Sequence, residues 1–453
     1  MSRLLLLLGA VMLTASLHAE EIVRQTVPPT HGLEDLSPAN DLEGYLRQGH
    51  LLNDWFGYGP TMEEAGFTLN GSFTTDLLGN PVGGFSQGFA GATSMGMQLT
   101  VDLEKLMGVP QTEFIVSGIW RTGENLSADR IGNLFTVAQL FGGSNLRLYE
   151  FMFRTKLFDE RLTLNVGRMG AFDHFLTSPI YWNYVNNGFD GTPKGIFFNV
   201  PEFGSTVYPT SSWGFIARWE DGSTSPWYLT AGAFLLDSQN GDNSTNGLNW
   251  TFNVDQGWAV LAEAGWKPNQ GVNDPDLPGY YAIGGFYVNH ERPNFSTPPQ
   301  LRSNAGFYVM TQQTVWREDT EENLARKRNV FGPGAMTGIT MFSVWVFGPD
   351  ETLNQFPIYN NTGIVWQGIL PSRPDDFAAA GVAWGRISND LRANQQLNGN
   401  PVQEYEVVLE ANYRYQVTPF LYVQPDIQYV INPGAANQFP DALVLGAQMG
   451  VIF

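Results

Sequence analysis

The sequence predicts an all-β fold, a transmembrane antiparallel β-barrel of about 16 strands with short periplasmic turns and long extracellular loops. Three observations predict it: apolar and polar residues alternate along long runs, no segment offers about 18 consecutive apolar residues, and short and long connections alternate. The mean hydropathy of −0.16 fits such a barrel, because each strand turns half of its residues to lipid and half to water.

The alternation is clearest near the C-terminal end of the sequence, between residues 404 and 417. One face of this run carries Glu404, Glu406, Val408, Glu410, Asn412, Arg414 and Gln416. The other face carries Tyr405, Val407, Leu409, Ala411, Tyr413, Tyr415 and Val417. A period of two over this length indicates a strand that is longer than most strands of soluble sheets. Alternation alone does not decide whether the apolar face is the core of a soluble sandwich or the lipid face of a barrel.

The length and spacing of the runs favour the barrel. The predicted strands are 66–79, 92–104, 112–122, 146–157, 162–169, 213–220, 226–236, 255–267, 280–289, 304–317, 336–348, 361–370, 377–388, 404–417, 420–431 and 443–453. Most of them are long enough to cross a bilayer at a tilt, which takes about 9–11 residues. Connections after odd-numbered strands are long, notably 123–145, 170–212 and 237–254, whereas those after even-numbered strands are mostly short, with 318–335 as an exception.

Tryptophans cluster at the ends of the predicted strands. In a membrane barrel such residues form girdles at the two lipid–water interfaces, whereas in a soluble protein they pack in the core. Given the strand pattern, we predict girdles that contain Trp120, Trp213, Trp227, Trp258, Trp266, Trp316 and Trp384.

The first residues have the order of a secretory signal peptide, because Arg3 precedes the apolar run Leu4 to Leu13 and small and polar residues follow. We predict three segments: a signal peptide over 1–19, a periplasmic N-terminal extension with short helical segments over 20–65, and the transmembrane β-barrel over 66–453. Export leaves the periplasm, the medium or the outer membrane as destinations. The barrel pattern favours the bacterial outer membrane and contact with its lipid, and Phe453 on an alternating strand is typical of that location.

The composition excludes several classes of function. The 24 Lys+Arg and 44 Asp+Glu give a net charge of −20, which argues against a nucleic-acid partner. Without cysteine there are no disulfides, thiolate metal sites or cysteine nucleophiles. The five histidines lack metal-ligand spacing and no glycine-rich phosphate loop follows a strand, so we expect no metal and no cofactor. The adjacent carboxylates Glu321-Glu322 and Asp375-Asp376 are interpreted as solvated turn residues, and we expect no enzyme activity.

Several short motifs, each weak alone, are specific for one protein family when taken together. They are Leu78–Pro81 with Gly83-Gly84, Val166–Arg168, Gly363–Arg373 with Asp375-Asp376, Glu410–Pro419, Gln424–Tyr429, Asn432–Gly434, and Asp441–Gly446 before Phe453. With them the chain resembles, from about Leu52 to Phe453, the carbohydrate-selective porins of the OprB type. The resemblance implies a sixteen-stranded outer-membrane pore that passes glucose and related monosaccharides passively through a charged eyelet.

Two motifs depart from the family's pattern. Asp54-Trp55-Phe56-Gly57 stands where the family usually has Asp-Trp-Gly-Gly. Gln448 stands where an arginine is often found, and by the alternation it faces the lumen. One pore charge is therefore absent, which bears on the substrate rather than on the fold.

Long loops in large barrels commonly fold inward, and we expect this of the longest loop, 170–212. A constriction that selects a sugar needs charged hydrogen-bonding groups beside an aromatic surface. The candidate pore-lining residues are Arg121, Glu124, Asp129, Arg130, Glu150, Arg154, Arg168, Asp173, Trp182 and Asp190. Arg168 shares a face with Val166, so a bulge or a position at the rim or in the lumen is expected to accommodate it.

Several alternatives stay open from the sequence. The candidate charges either select the solute or only solvate a wide, unselective channel. The pore passes either glucose and related monosaccharides or another small polar solute, such as a sugar acid or a cyclic polyol. A hypothesis from another functional class is a secreted β-rich carbohydrate-binding protein or glycosidase whose apolar strand faces form a core. A homotrimer and a monomer are both compatible with the sequence.

Overall fold

The structure is a computed structural model that describes residue 46 and residues 48–453, apart from 190–193, 221–224, 272–273, 329–330 and the side chain of Asn53. In this part the chain forms sixteen strands: β1 (Phe67–Val82), β2 (Gly88–Asp102), β3 (Thr112–Gly123), β4 (Asn145–Leu157), β5 (Leu162–Met169), β6 (Ser212–Glu220), β7 (Trp227–Leu235), β8 (Trp258–Trp266), β9 (Gly279–Pro293), β10 (Leu301–Arg317), β11 (Gly338–Phe347), β12 (Ile358–Gln367), β13 (Phe377–Arg386), β14 (Tyr405–Thr418), β15 (Leu421–Ile431) and β16 (Ala442–Ile452). They confirm the predicted barrel, and no boundary differs from its prediction by more than four residues.

The sixteen strands form one closed antiparallel barrel. Each strand pairs with its neighbours in sequence, and β1 closes the ring by pairing with β16. The register at the closure includes the pairs Phe73 with Val451 and Asp76 with Gln448. Closure pairs the backbone groups of both edge strands, which an open sheet would leave unsatisfied.

The period-two pattern separates the inside of the barrel from the outside. On β14 the side chains of Leu409 and Tyr415 are exposed on the outer face, whereas those of Glu406 and Glu410 are buried on the lumen face. The lumen residues are buried because loops fill the interior. The main cluster of buried apolar residues lies there, with Phe175, Tyr184, Phe189 and Phe203 contributed by a single long loop. Buried apolar residues of the long loop therefore pack against the inner face of the wall.

Two outward-facing belts of aromatic residues mark the ends of the wall. At one end, Trp266 stacks on Trp227 with 5.7 Å between ring centroids and on Tyr281 with 5.4 Å. At the other end, Trp258 packs 5.8 Å from Tyr287. Of the predicted girdle residues, five are exposed on the outer face: Trp120, Trp227, Trp258, Trp266 and Trp316. Amphipathic rings in two belts are typical of the lipid–water interfaces of a membrane barrel.

The two ends of the barrel differ in the length of their connections. The end with the loops 124–144, 170–211 and 236–257 is called the loop end, and the opposite end is called the turn end. Short turns such as 158–161 dominate the turn end, and the segment 318–337 is the expected exception. The α-helices are α1 (Gly59–Glu64), α2 (Leu103–Met107), α3 (Gly195–Asn199), α4 (Glu321–Leu324) and α5 (Asn389–Leu397), and a short helical turn covers Asn53–Phe56.

Local sequence explains the α2 turn between β2 and β3. The Asp102 carboxylate accepts hydrogen bonds from the backbone N–H groups of Glu104 (2.9 Å) and Lys105 (3.0 Å), which caps the first turn. Gly108 ends the helix at φ 70°, a left-handed conformation that suits glycine. The chain can therefore reverse between the two strands within a few residues.

The first described residues lie at the turn end. The Leu51 N–H donates to the Ile452 carbonyl at 2.8 Å, and His50 Nδ1 lies 2.8 Å from the Phe453 carbonyl oxygen. Both contacts join the start of the described chain to its last strand. The predicted signal peptide, 1–19, and most of the predicted extension, 20–65, lie outside the described residues. Among the helices that the structure does describe, none has the length and apolar character needed to span a membrane.

Candidate functional site

A cavity of about 270 Å³ lies inside the barrel, between β3 and two loops that fold into the lumen. Its volume is close to the lower end of the range for small-molecule sites, about 300–1,000 Å³. Strand β3 contributes Arg121, and loop 124–144 contributes Gln139, Phe141 and Gly142. The long loop 170–211 contributes the other lining residues: Phe172, Asp173, Thr177, Trp182, Asn187, Lys194, Phe197, Pro201, Gly204, Val207, Tyr208 and Pro209.

Arg121 is the charged residue that the barrel wall presents to this cavity. It is 5% exposed, and its guanidinium carbon lies 4.4 Å from the centre of the Tyr208 ring. No residue that the structure describes forms a hydrogen bond or an ion pair with it, and its Nε is both buried and unpartnered. The carboxylate of Asp76 interacts with it electrostatically without forming an ion pair. A buried guanidinium has five N–H donors, so this one has donors available for a bound solute.

The rest of the lining combines aromatic surface with unsatisfied polar atoms. Phe172, Trp182 and Tyr208 supply rings. The indole N–H of Trp182 and the side-chain oxygen of Gln139 are buried without a hydrogen-bond partner. The Tyr208 hydroxyl lies 3.1 Å from the Ser94 hydroxyl, which orients the ring. Buried polar atoms without partners are rare in native structures and are expected where a ligand or water supplies the missing bond.

Asp173 is the carboxylate of the cavity lining among the described residues. The buried hydroxyl of Tyr149 on β4 donates a hydrogen bond to its Oδ2, which ties the long loop to the wall. Lys194 also lines the cavity, and its ammonium lies 5.8 Å from the centre of the Phe198 ring. The lining therefore includes positive and negative groups as well as aromatic rings.

Buried groups on the wall hold the long loop in the lumen. The Glu263 carboxylate on β8 accepts hydrogen bonds from the Leu176 N–H (2.8 Å) and from the hydroxyls of Tyr228 (2.6 Å) and Tyr308 (2.7 Å). The hydroxyl of Tyr184 in the loop lies within hydrogen-bonding distance of the carbonyl oxygens of Ile364 (3.1 Å) and Ala380 (3.0 Å). Burial raises the pKa of Tyr184 well above its usual range, so the hydroxyl stays protonated and remains a donor.

Of the ten predicted pore-lining residues, the cavity brings together three: Arg121, Asp173 and Trp182. Glu124, Asp129 and Arg130 are exposed in loop 124–144 and do not line the cavity. Asp190 lies outside the described residues.

Glu150 and Arg154 face the lumen but are engaged elsewhere. The Glu150 carboxylate accepts a hydrogen bond from the Ser117 hydroxyl at 2.7 Å. Arg154 donates to Glu113 and to Asn165, both at 3.1 Å. The pairing of an arginine with a glutamate therefore occurs on this wall, but it involves Glu113 and lies away from the cavity.

Arg168 lies at the rim of the loop end, one of the positions expected for it. Its Nη1 donates to the carbonyls of Gly247 (2.5 Å) and Asn249 (2.9 Å), and its Nη2 donates to that of Ser211 (3.0 Å). Trp250 covers the guanidinium, with 5.6 Å from its ring centre to the guanidinium carbon. Loop 236–257 folds over this outward-facing arginine and removes it from lipid, so no bulge in β5 is needed.

Sequence reasoning missed Tyr208, Phe172 and Gln139, which complete the lining. Tyr208 and Phe172 lie in the loop that was expected to fold inward, so a search of that loop for aromatic residues was the available signal. Gln139 offered none, because a neutral amide in a predicted extracellular loop has neither charge nor periodicity to distinguish it.

Comparison with known proteins agrees with this architecture. The family model of the carbohydrate-selective porin, OprB family, matches residues 86–453. Porin B of Pseudomonas aeruginosa is 26% identical over 442 residues, which cover 89% of this chain and 91% of that protein. The high-pH structure of Pseudomonas putida OprB is similar with a TM-score of 0.79 at 23% identity, over 90% of this chain and 99% of that one.

The low-pH structure of Pseudomonas putida OprB has the same coverage, with a TM-score of 0.57 at 19% identity. At these identities the two structures support the sixteen-stranded fold alone. The family model spans most of the chain, and together with the barrel it identifies a porin of the outer membrane. The chain belongs to the carbohydrate-selective porin, OprB family.

Proposed function

We propose that this porin lets glucose and related monosaccharides diffuse passively through the cavity lined by Arg121, Asp173 and Trp182. The observation that supports the proposal is the buried side chain of Arg121, which forms no hydrogen bond with a described residue and lies beside the aromatic rings of the long loop. The family and the fold point to a channel and not to an enzyme.

The chemistry of the lining matches that of a sugar. A sugar presents hydroxyl groups around its edge and C–H groups on its ring faces. Arg121 can donate to hydroxyl oxygens, and Asp173 can accept from hydroxyl groups, through charge-assisted hydrogen bonds. The rings of Phe172, Trp182 and Tyr208 offer apolar surface to the C–H faces. A site of this kind binds specifically yet releases the solute, as passive transport requires.

The test is the ion current through the protein in a planar lipid bilayer while glucose is added. We expect a saturable decrease in current, because a bound sugar occupies the path of the ions. A polyethylene glycol too large to enter, added to the same viscosity, is the control. A decrease with glucose that is linear and no larger than that of the control contradicts the proposal.

A sugar acid, one of the other small polar solutes that the sequence left open, is a second candidate solute. The observation in its favour is the same unpartnered arginine, because a carboxylate compensates a buried guanidinium better than a neutral hydroxyl does. Gluconate and glucose differ in this respect and are compared in the same bilayer. Stronger block by gluconate favours the acid, and stronger block by glucose favours the neutral sugar.

Two further proposals concern the export of the protein and its contact with lipid. Residues 1–19 act as the export signal, and the outward apolar faces of β1–β16 contact outer-membrane lipid. N-terminal sequencing of protein extracted from outer membranes tests the first detail. A first residue near Glu20 is expected, and an intact Met1 contradicts it.

A further inference from the structure

We propose that five lumen-facing residues of β14 and β15 form a cradle that positions the long loop and thereby sets the shape of the cavity. The cradle consists of Glu410, Asn412, Arg414, Gln424 and Gln428. In this role they are positioning residues, which act on the solute through the loop. The inference rests on the proposed function for its sugar readout, while its conductance readout does not depend on which solute is carried.

Glu410 makes the central contact of the cradle. Its two carboxylate oxygens accept hydrogen bonds from consecutive backbone N–H groups of the long loop, Val185 at 2.7 Å and Asn186 at 2.9 Å. Glu410 is 4% exposed, so both bonds form away from water. Hydrogen bonds from backbone N–H groups to a buried carboxylate are among the stronger ones in proteins. This pair therefore fixes the path of the loop at residues 185–186.

Three further cradle residues hold Trp182 and Asn183, which precede this point in the loop. Asn412 and Gln424 each donate to the Asn183 carbonyl at 2.9 Å. Arg414 donates from Nη2 to the Trp182 carbonyl at 3.2 Å. These bonds satisfy carbonyl groups that the irregular loop backbone leaves without secondary-structure partners.

Gln428 joins both inward loops. Its amide nitrogen donates to the Val137 carbonyl at 2.9 Å, and its amide oxygen accepts from the Asn186 side chain at 2.9 Å. Val137 belongs to loop 124–144, whereas Asn186 belongs to the long loop. The two loops also pair directly, because the Gln139 N–H donates to the Val185 carbonyl at 2.8 Å.

The segment held by the cradle ends at the cavity. Trp182 and Asn187, on either side of residues 183–186, both line the cavity, as does Gln139 on the second loop. A shift of the held segment therefore moves three lining residues together. Because the cradle binds mostly main-chain atoms, the side chains of the loop can be replaced without releasing it. This geometry allows the lining to change while the path of the loop stays the same.

The strand block that contains the cradle, 410–428, is also the block that carries much of the sequence resemblance to the family. Its polar residues were expected to face the lumen, which they do, but they contact the loop and do not line the cavity. Their buried amides and charges therefore specify where the constriction lies.

The test compares two buried lumen glutamines. Gln428→Leu removes both bonds to the loops, and Gln98→Leu is the matched control, because Gln98 bonds only to the Thr100 hydroxyl (3.3 Å) among the described residues. Single-channel conductance and glucose block are measured for each variant after heat-modified migration in SDS gels confirms a folded barrel. We expect Gln428→Leu to change the conductance and to weaken glucose block by about 5-fold, with Gln98→Leu unchanged.

Two outcomes overturn the cradle: both variants retain wild-type conductance and block, or both change them equally. If glucose does not block the wild-type protein, the proposed sugar function is refuted. The comparison of conductance between the two variants still tests the cradle. If Gln428→Leu does not fold, Glu410→Gln replaces it, since the amide keeps one acceptor for the loop. An unchanged conductance of Glu410→Gln and Glu410→Ala, both folded, then overturns the inference.

Discussion

Two arginines on different parts of the barrel wall are similarly buried against a tyrosine ring but differ in their hydrogen bonds. Arg121 on β3 is 5% exposed, and its guanidinium carbon lies 4.4 Å from the centre of the Tyr208 ring. Arg414 on β14 is 6% exposed, and its guanidinium carbon lies 3.9 Å from the centre of the Tyr422 ring. Arg414 donates to Gln424 at 2.7 Å and to the Trp182 carbonyl at 3.2 Å. Arg121 donates to no described residue.

Under the proposed function, this difference separates residues that support the loop from residues that contact the solute. The β14–β15 wall uses its polar groups to bind the backbone of the long loop. Strand β3 presents Arg121 to the cavity beside the same loop, and this arginine forms no hydrogen bond with a described residue. A polar residue in the lumen is therefore a candidate for solute binding only where the loops leave its hydrogen bonds unmade.

The largest effect is expected from Arg121→Gln. Hydrogen bonds to charged groups contribute about 1.5–3 kcal/mol, so glucose block is expected to weaken by about 10- to 100-fold. The thermal stability is expected to stay close to that of the wild type, because the substitution removes no hydrogen bond or ion pair with a described residue. Block titrations and thermal unfolding in detergent measure the two quantities. Wild-type block in a folded Arg121→Gln barrel refutes the role of this arginine.

Arg414→Gln is expected to have a smaller and less selective effect. The variant loses the bond to the Trp182 carbonyl and leaves Gln424 without its donor, so the barrel unfolds at a lower temperature. Glucose block is expected to weaken by about 5-fold through displacement of the loop, together with a change in conductance. The comparison fails if Arg414→Gln abolishes block while conductance and unfolding temperature stay at wild-type values.

The smallest effect on transport is expected from Arg154→Gln. Arg154 is 1% exposed and its partners, Glu113 and Asn165, lie away from the cavity. Removing one member of a buried ion pair leaves the other uncompensated, so thermal stability falls. Glucose block is expected to stay within about 2-fold of wild type, since no cavity contact is lost. A large loss of glucose block in this variant would place Arg154 on the solute path and contradict its proposed difference from Arg121.

The fold could be predicted from the sequence because each strand carries its own signal. The alternation of polar residues such as Glu410 with apolar residues such as Leu409 indicates which face of a strand contacts water and which contacts lipid. This can be predicted for each strand separately. Strand count, order and the inward long loop followed from this pattern and from the spacing of the connections.

The site could be predicted only in part, because its geometry depends on where irregular loops run. Arg121 was chosen for its charge at a strand end next to a long loop, and it lines the cavity. Glu150 and Arg154 were chosen as charges on one face of the strand 146–157, yet their partners on neighbouring strands satisfy them. Gln139 and Tyr208 gave no such signal, since their place at the cavity is set by long-range contacts between two loops.

The most direct test of the central claim is a crystal structure of the protein with glucose bound. We expect a sugar in the cavity of the long loop, with at least one hydroxyl oxygen within hydrogen-bonding distance of the Arg121 guanidinium and with Arg414 still bonded to the Trp182 carbonyl. A sugar bound elsewhere in the lumen, or an Arg121 whose donors all bond to protein in that complex, contradicts it.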